Sequence, residues 1–145
     1  MPFFEWDDSF SVNVVEIDQH HQHLFGLINQ LHEAIERSNR LATLESVLRE
    51  QETVAAVIKQ LIDYASYHFT TEEDYMCRWA YPEHSQHRDE HRKFIDNVQA
   101  FRQAFDTKKT RLSPDIAEFA KSWWRSHILV TDKKCGAFLK EQGLG

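Results

Sequence analysis

The sequence has little of what breaks or staples a chain: four glycines, three prolines and two cysteines in 145 residues. With so few breakers, a chain rich in Leu, Ala, Glu, Lys and Gln favours long helices. Cys77 and Cys135 form neither a CxxC pair nor a disulfide framework, so two reduced thiols in a cytoplasmic protein are expected. No apolar run is long enough to span a membrane. The opening MPFFEWDDSF lacks a basic stretch followed by an apolar one, so no secretory signal is read there. Positive charge is also scarce, with 17 Lys and Arg against 23 Asp and Glu and a net charge of -6. Without a basic block or an aromatic-interleaved basic stripe, nucleic-acid binding has no support. The chain is 41% hydrophobic and 28% charged, a globular composition, and its length suits one domain, residues 1–145, around one core.

What is present is helical periodicity. Residues 1–15 read as an irregular aromatic arm. The first helix is expected over about 16–38, where Ile17, His21, Leu24, Ile28, Leu31 and Ile35 follow steps of three and four and share one face. The second, about 44–80, has Thr43 as its cap, and its inward stripe runs Leu44, Val47, Gln51, Val54, Ile58, Leu61, Ala65, His68, Glu72, Met76. At roughly 50 Å it is long for so small a domain, so a break near Glu50 to Thr53 is an open alternative. Tyr81-Pro82 ends it. The third, about 82–106, carries His87, His91, Phe94, Val98, Phe101 and Phe105 inward. Ser113-Pro114-Asp115 starts the fourth, about 114–142, with Ile116, Ala120, Trp123 or Trp124, His127 and Phe138 inward and Gly143 closing it. Four such stripes are buried most simply in an up-down-up-down antiparallel four-helix bundle, an all-α fold.

A bundle needing only a core would fill its inward positions with aliphatic and aromatic residues. Here they carry His21, His68 with Glu72, His87 with His91, and His127 with nearby Asp132. One inward histidine is ordinarily a satisfied core residue. Five with two acids need a common partner, because buried carboxylates and imidazoles without partners are costly. A metal meets that need, and imidazole with carboxylate suits Fe, Zn, Mn and similar ions. His68 and Glu72 are four apart, as are His87 and His91, so each pair projects from one face. His127 and Asp132 are five apart, about 140° out of line in a regular helix. Either the aspartate reaches around or a π-type widening aligns it. Seven donors exceed what one metal takes, so two metals sharing the acids is the economical count. His20, His23 and His84 fall off the stripes and are expected in solvent, though His20 also neighbours His21 and is placed to touch the surroundings of the site. His32 sits at a stripe edge.

These residues resemble the hemerythrins, the family of bacterial oxygen-binding proteins and their invertebrate relatives. The segments that carry the resemblance are the arm FEWDDSFSVNVVEID, IDQHHQHLFGLIN, HFTTEEDYM at His68, YPEHSQHRDEHRKF at Tyr81 and WWRSHILVTD at Trp123, nearly the whole chain. The resemblance implies a cofactor of two Fe ions, cycling between Fe2+ and Fe3+ and joined by an oxo or hydroxo bridge. His87, His91 and His127 would ligate one iron, His21 and His68 the other, and Glu72 and Asp132 would bridge them. The second iron would keep an open position for O2, with Leu24, Phe69, Trp123, Trp124 and Ile128 as a dry wall. There are departures: His20 stands where the family has Gln, Cys135 where it commonly has Tyr or Phe. The 47-residue interval from His21 to His68 is longer than usual.

The expected function is therefore reversible O2 binding for storage, delivery or sensing, with no catalytic residues assigned, in a chain compatible with a monomer. The alternative is a di-iron enzyme or redox sensor acting on peroxide, NO or ferrous iron. The chain contains no Glu-x-x-His, the pair used by ferritin-like oxidases, which favours binding. The added segment around Leu41 to Thr53 is where a protein partner would be sought.

Overall fold

The structure, a computed structural model, describes residues 2–40, 43–108 and 115–144, with side chains throughout except at 105–108. A short 3-10 turn, Asp8–Phe10, precedes α1 (Val15–Arg40), α2 (Leu44–Arg78) and α3 (His84–Lys108). The fourth rod is α4 (Asp115–Ser126), which runs through a π-helical segment, His127–Asp132, into α5 (Lys133–Glu141). The histidine and carboxylate positions lie near the start of α1, the end of α2, the start of α3 and the far part of the fourth rod. They meet only if consecutive rods run antiparallel, and the fold is that four-helix bundle. No helix among the described residues is long and apolar enough to cross a membrane.

Local chemistry sets the helix ends. Thr43 caps α2, its hydroxyl accepting from the Ser46 N–H at 3.2 Å. After α2 the Tyr81 N–H donates to the Met76 carbonyl at 2.8 Å and the Ala80 N–H to the Cys77 carbonyl at 3.3 Å. That pair of bonds is a Schellman motif with Ala80 in the left-handed region at φ 55°. The same motif ends α5, where the Leu144 N–H reaches the Leu139 carbonyl at 3.1 Å and Gly143 takes φ 99° without a Cβ to strain. The turn ahead of Pro82 is thus made by backbone bonds as well as by the proline. The cap expected at Ser113-Pro114, residues Leu41 and Ala42, and the Phe105 side chain lie outside what is described.

The core follows the stripes, with two corrections. Ile58, Leu61 and Ala65 of α2 are fully buried against Leu24, Ile28 and Leu31 of α1, but Leu44, read as inward, is 74% exposed. In the first turns of α2 Leu48 is likewise exposed, at 51%, so among the described residues nothing covers either leucine. The break considered near Glu50 to Thr53 is absent: α2 is one continuous helix. The arm is fixed by aromatic packing and paired hydrogen bonds. Phe4 stacks on Phe25 at 3.7 Å, and its backbone N–H and C=O bond the Asn29 amide at 2.7 and 2.9 Å. Asp18 accepts from the Val12 N–H at 2.9 Å and the Ser11 hydroxyl at 2.6 Å.

The arm crosses α5 at Gly136, where a Cβ added to the glycine would stand 2.5 Å from the Val12 carbonyl oxygen and 2.9 Å from the Val12 Cβ. Gly136→Ala must therefore push the arm away, and it should cost about 1–3 kcal/mol in urea unfolding. Gly26, inside α1 with nothing within 4 Å of its added Cβ, is the control: Gly26→Ala should stabilise by about 0.5–1 kcal/mol. Equal midpoints for the two variants would refute the close approach at Gly136.

Candidate metal centre

Each helix contributes through its own geometry. In α2 and α3 the four-residue spacings bring His68 over Glu72 and His87 over His91. The fourth rod solves its five-residue spacing by the π-helical turn, in which the Lys133 N–H reaches the Ile128 carbonyl five residues back. The extra residue is taken up inside the turn, and His127 Nε2 stands 3.0 Å from Asp132 Oδ1. From α1 comes His21. All seven side chains are shut off from solvent, at 0–2% exposure.

The donor atoms form two overlapping groups. One atom from each of Glu72, His87, His91, His127 and Asp132 lies within 4.8 Å of every other, and the same holds for His21, His68, Glu72 and Asp132. The carboxylates belong to both because each divides its oxygens. Glu72 Oε1 is 2.5 Å from His87 Nε2 and 3.3 Å from His91 Nε2, while Oε2 is 3.3 Å from His68 Nε2. Asp132 Oδ1 is 3.0 Å from both His87 Nε2 and His127 Nε2, while Oδ2 is 3.0 Å from His21 Nε2. These are hydrogen-bond distances without hydrogen-bond alignment. Both oxygens of Glu72 and of Asp132, and Nε2 of His21, His68 and His87, are buried without a directed partner. Orphaned donors at such proximity point at shared positions between them, which is what two metal ions require. The residues fit a metal pair.

Charge follows the same division. Burial pushes both carboxyls up, yet the imidazoles of His68, His87 and His91 hold Glu72 well below its usual range. Burial and Glu72 raise Asp132, but His127 and His21 outweigh them and hold it low. Burial opposes a charge on His87 and His127. Asp132, Cys135 and Glu72 nevertheless raise His87, and Asp132 and Glu90 push His127 up to about 9. His68 goes the other way, pushed down to about 4 chiefly by burial. Positive charge is thus favoured beside the carboxylates.

Three of the expected wall residues, Phe69, Trp123 and Trp124, pack on the histidine rings. Phe69 stacks flat on His91 at 3.9 Å and on Trp124 at 5.3 Å, and Trp123 stacks on His127 at 4.4 Å. Trp124, fully buried, approaches His68 and His21 at 5.7 and 6.0 Å, and its indole N–H has no partner among the described residues. Leu24 and Ile128 are fully buried, while Trp123 is half-buried.

One histidine expected in solvent is not there. His20 is buried, its Nδ1 3.0 Å from His68 Nδ1, and burial holds its ring below the usual histidine range. The stripe reading failed because His20 flanks the interior, pointing into the α1–α2 seam that Tyr64 and Tyr67 close. His23 is exposed, and His84 and His32 are partly so. Sequence reasoning also missed Glu73, 2.9 Å from His91 Nδ1, and Glu90, 3.8 Å from His127 Nδ1 and bonded by the Thr131 hydroxyl at 2.8 Å. Each follows or precedes an inward donor by one residue, a signal that could have found them.

Known proteins share this sequence pattern and fold. A family model described as the hemerythrin HHE cation binding domain matches residues 12–139. The chain is 28% identical to a bacteriohemerythrin of Clostridium acetobutylicum over 90% of its own length and 97% of the relative's. It is 28% identical to a hemerythrin-like protein of Naegleria gruberi over 90% and 89%. A solved wild-type hemerythrin superposes with a TM-score of 0.81 at 25% identity, covering 94% of this chain and 98% of that one.

A divalent ion that binds the folded centre and not the unfolded chain stabilises by about 2.7 kcal/mol at a hundred times its dissociation constant. Chelator treatment should therefore lower the denaturant midpoint, and returning the metal should restore it. A midpoint indifferent to both would show that the cluster holds no metal.

Proposed function

We propose that this chain, which belongs to the hemerythrin HHE cation-binding family, is a non-haem di-iron protein that binds O2 reversibly. The observation that carries the reading is the division of the Glu72 and Asp132 oxygens between two donor groups. In it His87, His91 and His127 would hold one iron, His21 and His68 would hold the other, and Glu72 and Asp132, which belong to both donor groups, would be shared between them. The first position then has five protein donors and the second four, so the second keeps room for a ligand. Iron, when bound, supplies the electrons and the open position that O2 takes.

The chain's own residues do the rest. The imidazoles present ring nitrogens from four helices, and the carboxylates would balance the metal charge inside an apolar interior. Leu24, Phe69, Trp123, Trp124 and Ile128 would keep water out of the interior beside the donor groups. His68, whose ring burial keeps neutral, offers a lone pair at the less crowded position. We place the protein in the cytoplasm, where the free thiols Cys77 and Cys135 stay reduced. A di-iron enzyme or redox sensor is the second reading, and the two-carboxylate donor set favours binding over it, since oxidases of the bundle class use more acids.

Anaerobically reduced protein should contain about two irons per chain, the number set by the two donor groups. It should gain a visible absorption band on O2 addition and lose it on deoxygenation. Rapid irreversible oxidation with two irons bound would instead establish the enzyme or sensor reading. His68→Ala should keep a folded bundle, lose one iron and lose O2 binding. A variant that still binds O2 normally would overturn the ligand assignment.

A further inference from the structure

His20 and His68 face one another through Nδ1 atoms 3.0 Å apart, both rings buried between α1 and α2. Two facing ring nitrogens share one hydrogen, so one ring donates and the other accepts. The remaining nitrogen of His68, Nε2, lies 3.3 Å from Glu72 and belongs to the four-residue donor group. A neutral imidazole that gives its Nε2 lone pair to a metal carries its hydrogen on Nδ1. Were His20 the donor, a neutral His68 would carry its hydrogen on Nε2 and be unable to ligate.

Resting on the paired-metal reading, we propose that His20 is a positioning residue of the centre. Its Nδ1 accepts the His68 hydrogen, fixes that ring's tautomer and holds Nε2 toward the two-histidine position. His20 and His21 are adjacent on α1, hence about 100° apart around it. One addresses the centre directly, and the other reaches across the seam to the back of a second donor. The edge of the His20 ring is in turn held by Tyr67 at 5.2 Å and Tyr64 at 5.8 Å.

The choice of an imidazole here makes the two positions unequal. His91 is backed by the Glu73 carboxylate at 2.9 Å and His127 by Glu90 at 3.8 Å. A carboxylate acceptor raises the basicity of the ligand ring, and an uncharged ring does so less. Behind the two-histidine position stands His20 alone among the described residues, since His21 Nδ1 has no partner. Metal at that position therefore depends on His20.

The test is cobalt(II) titration of the metal-free full chain, for the wild type, His20→Ala and His20→Gln. The wild type should take up two ions. His20→Ala should hold the more weakly bound ion roughly 10–100-fold less tightly and leave the other unchanged. His20→Gln, whose amide oxygen can accept, should recover most of that loss, which a purely structural role would not predict. In zinc-loaded wild type, nitrogen NMR should show a coupling across the hydrogen bond between the two Nδ1 atoms, with the hydrogen covalent to His68. This last readout stands even if a variant misfolds. An undiminished second cobalt in His20→Ala, a His20→Gln as weak as the alanine, or a hydrogen covalent to His20 would each overturn the inference while leaving the paired centre standing. A wild type that bound fewer than two cobalt ions would refute the paired centre, and this inference with it.

Discussion

Two carboxylates buried at the meeting point of four helices are the constraint on which this structure depends. Glu72 and Asp132 are 1% and 2% exposed, and a buried ion left uncompensated costs several kcal/mol. Five imidazoles surround them, and no single helix could supply that many at one level. A helix places one or two inward residues at any height, so compensation requires four rods at the same height. Antiparallel order, helix lengths and the turn at Ala80–Tyr81 all serve that meeting.

The fourth rod shows how far local structure bends to this demand. A regular helix would swing Asp132 away from His127, and the carboxylate would lose both its imidazole partners and its place between the donor groups. The π-helical turn gives up one intrahelical register to keep it. One turn further on, the arm seats its Val12 backbone on Gly136, so the same rod is braced where it leaves the irregular segment. Irregular backbone at this point is positional chemistry, not a packing flaw.

Most of the architecture was legible because stripes of apolar residues and chemically costly residues shared one periodicity. His21, Glu72, His87 and His91 could be placed inward from spacing alone, and resemblance to a known family assigned them to metals. That two metals would share the acids could be read from the donor count, but which oxygen faces which ring could not, since spacing fixes a face and not an atom. Of the two routes open to Asp132, only coordinates could choose the π turn. His20 was misplaced because a stripe has one centre line, whereas a seam between two helices buries residues on its flank as well. Leu44 was misplaced for the converse reason: a stripe continues along a helix after its partner has ended, and the periodicity carries no record of where the neighbouring rod stops.

The adjacent histidines of α1 explain why the centre is asymmetric at all. Had both faced the interior, each donor group would hold three imidazoles and the two carboxylates. Residues one apart on a helix cannot address the same point, so His21 enters the four-donor group and His20 is turned into the seam. What His20 meets there is the outer nitrogen of His68, itself in the group that is one imidazole short. The smaller donor group and the contact behind it thus come from the same fact of helical geometry, a pair of neighbours divided by about 100°. Of the four rods α1 gives one residue to the cluster where each other gives two, and it gives less inward because it gives something sideways.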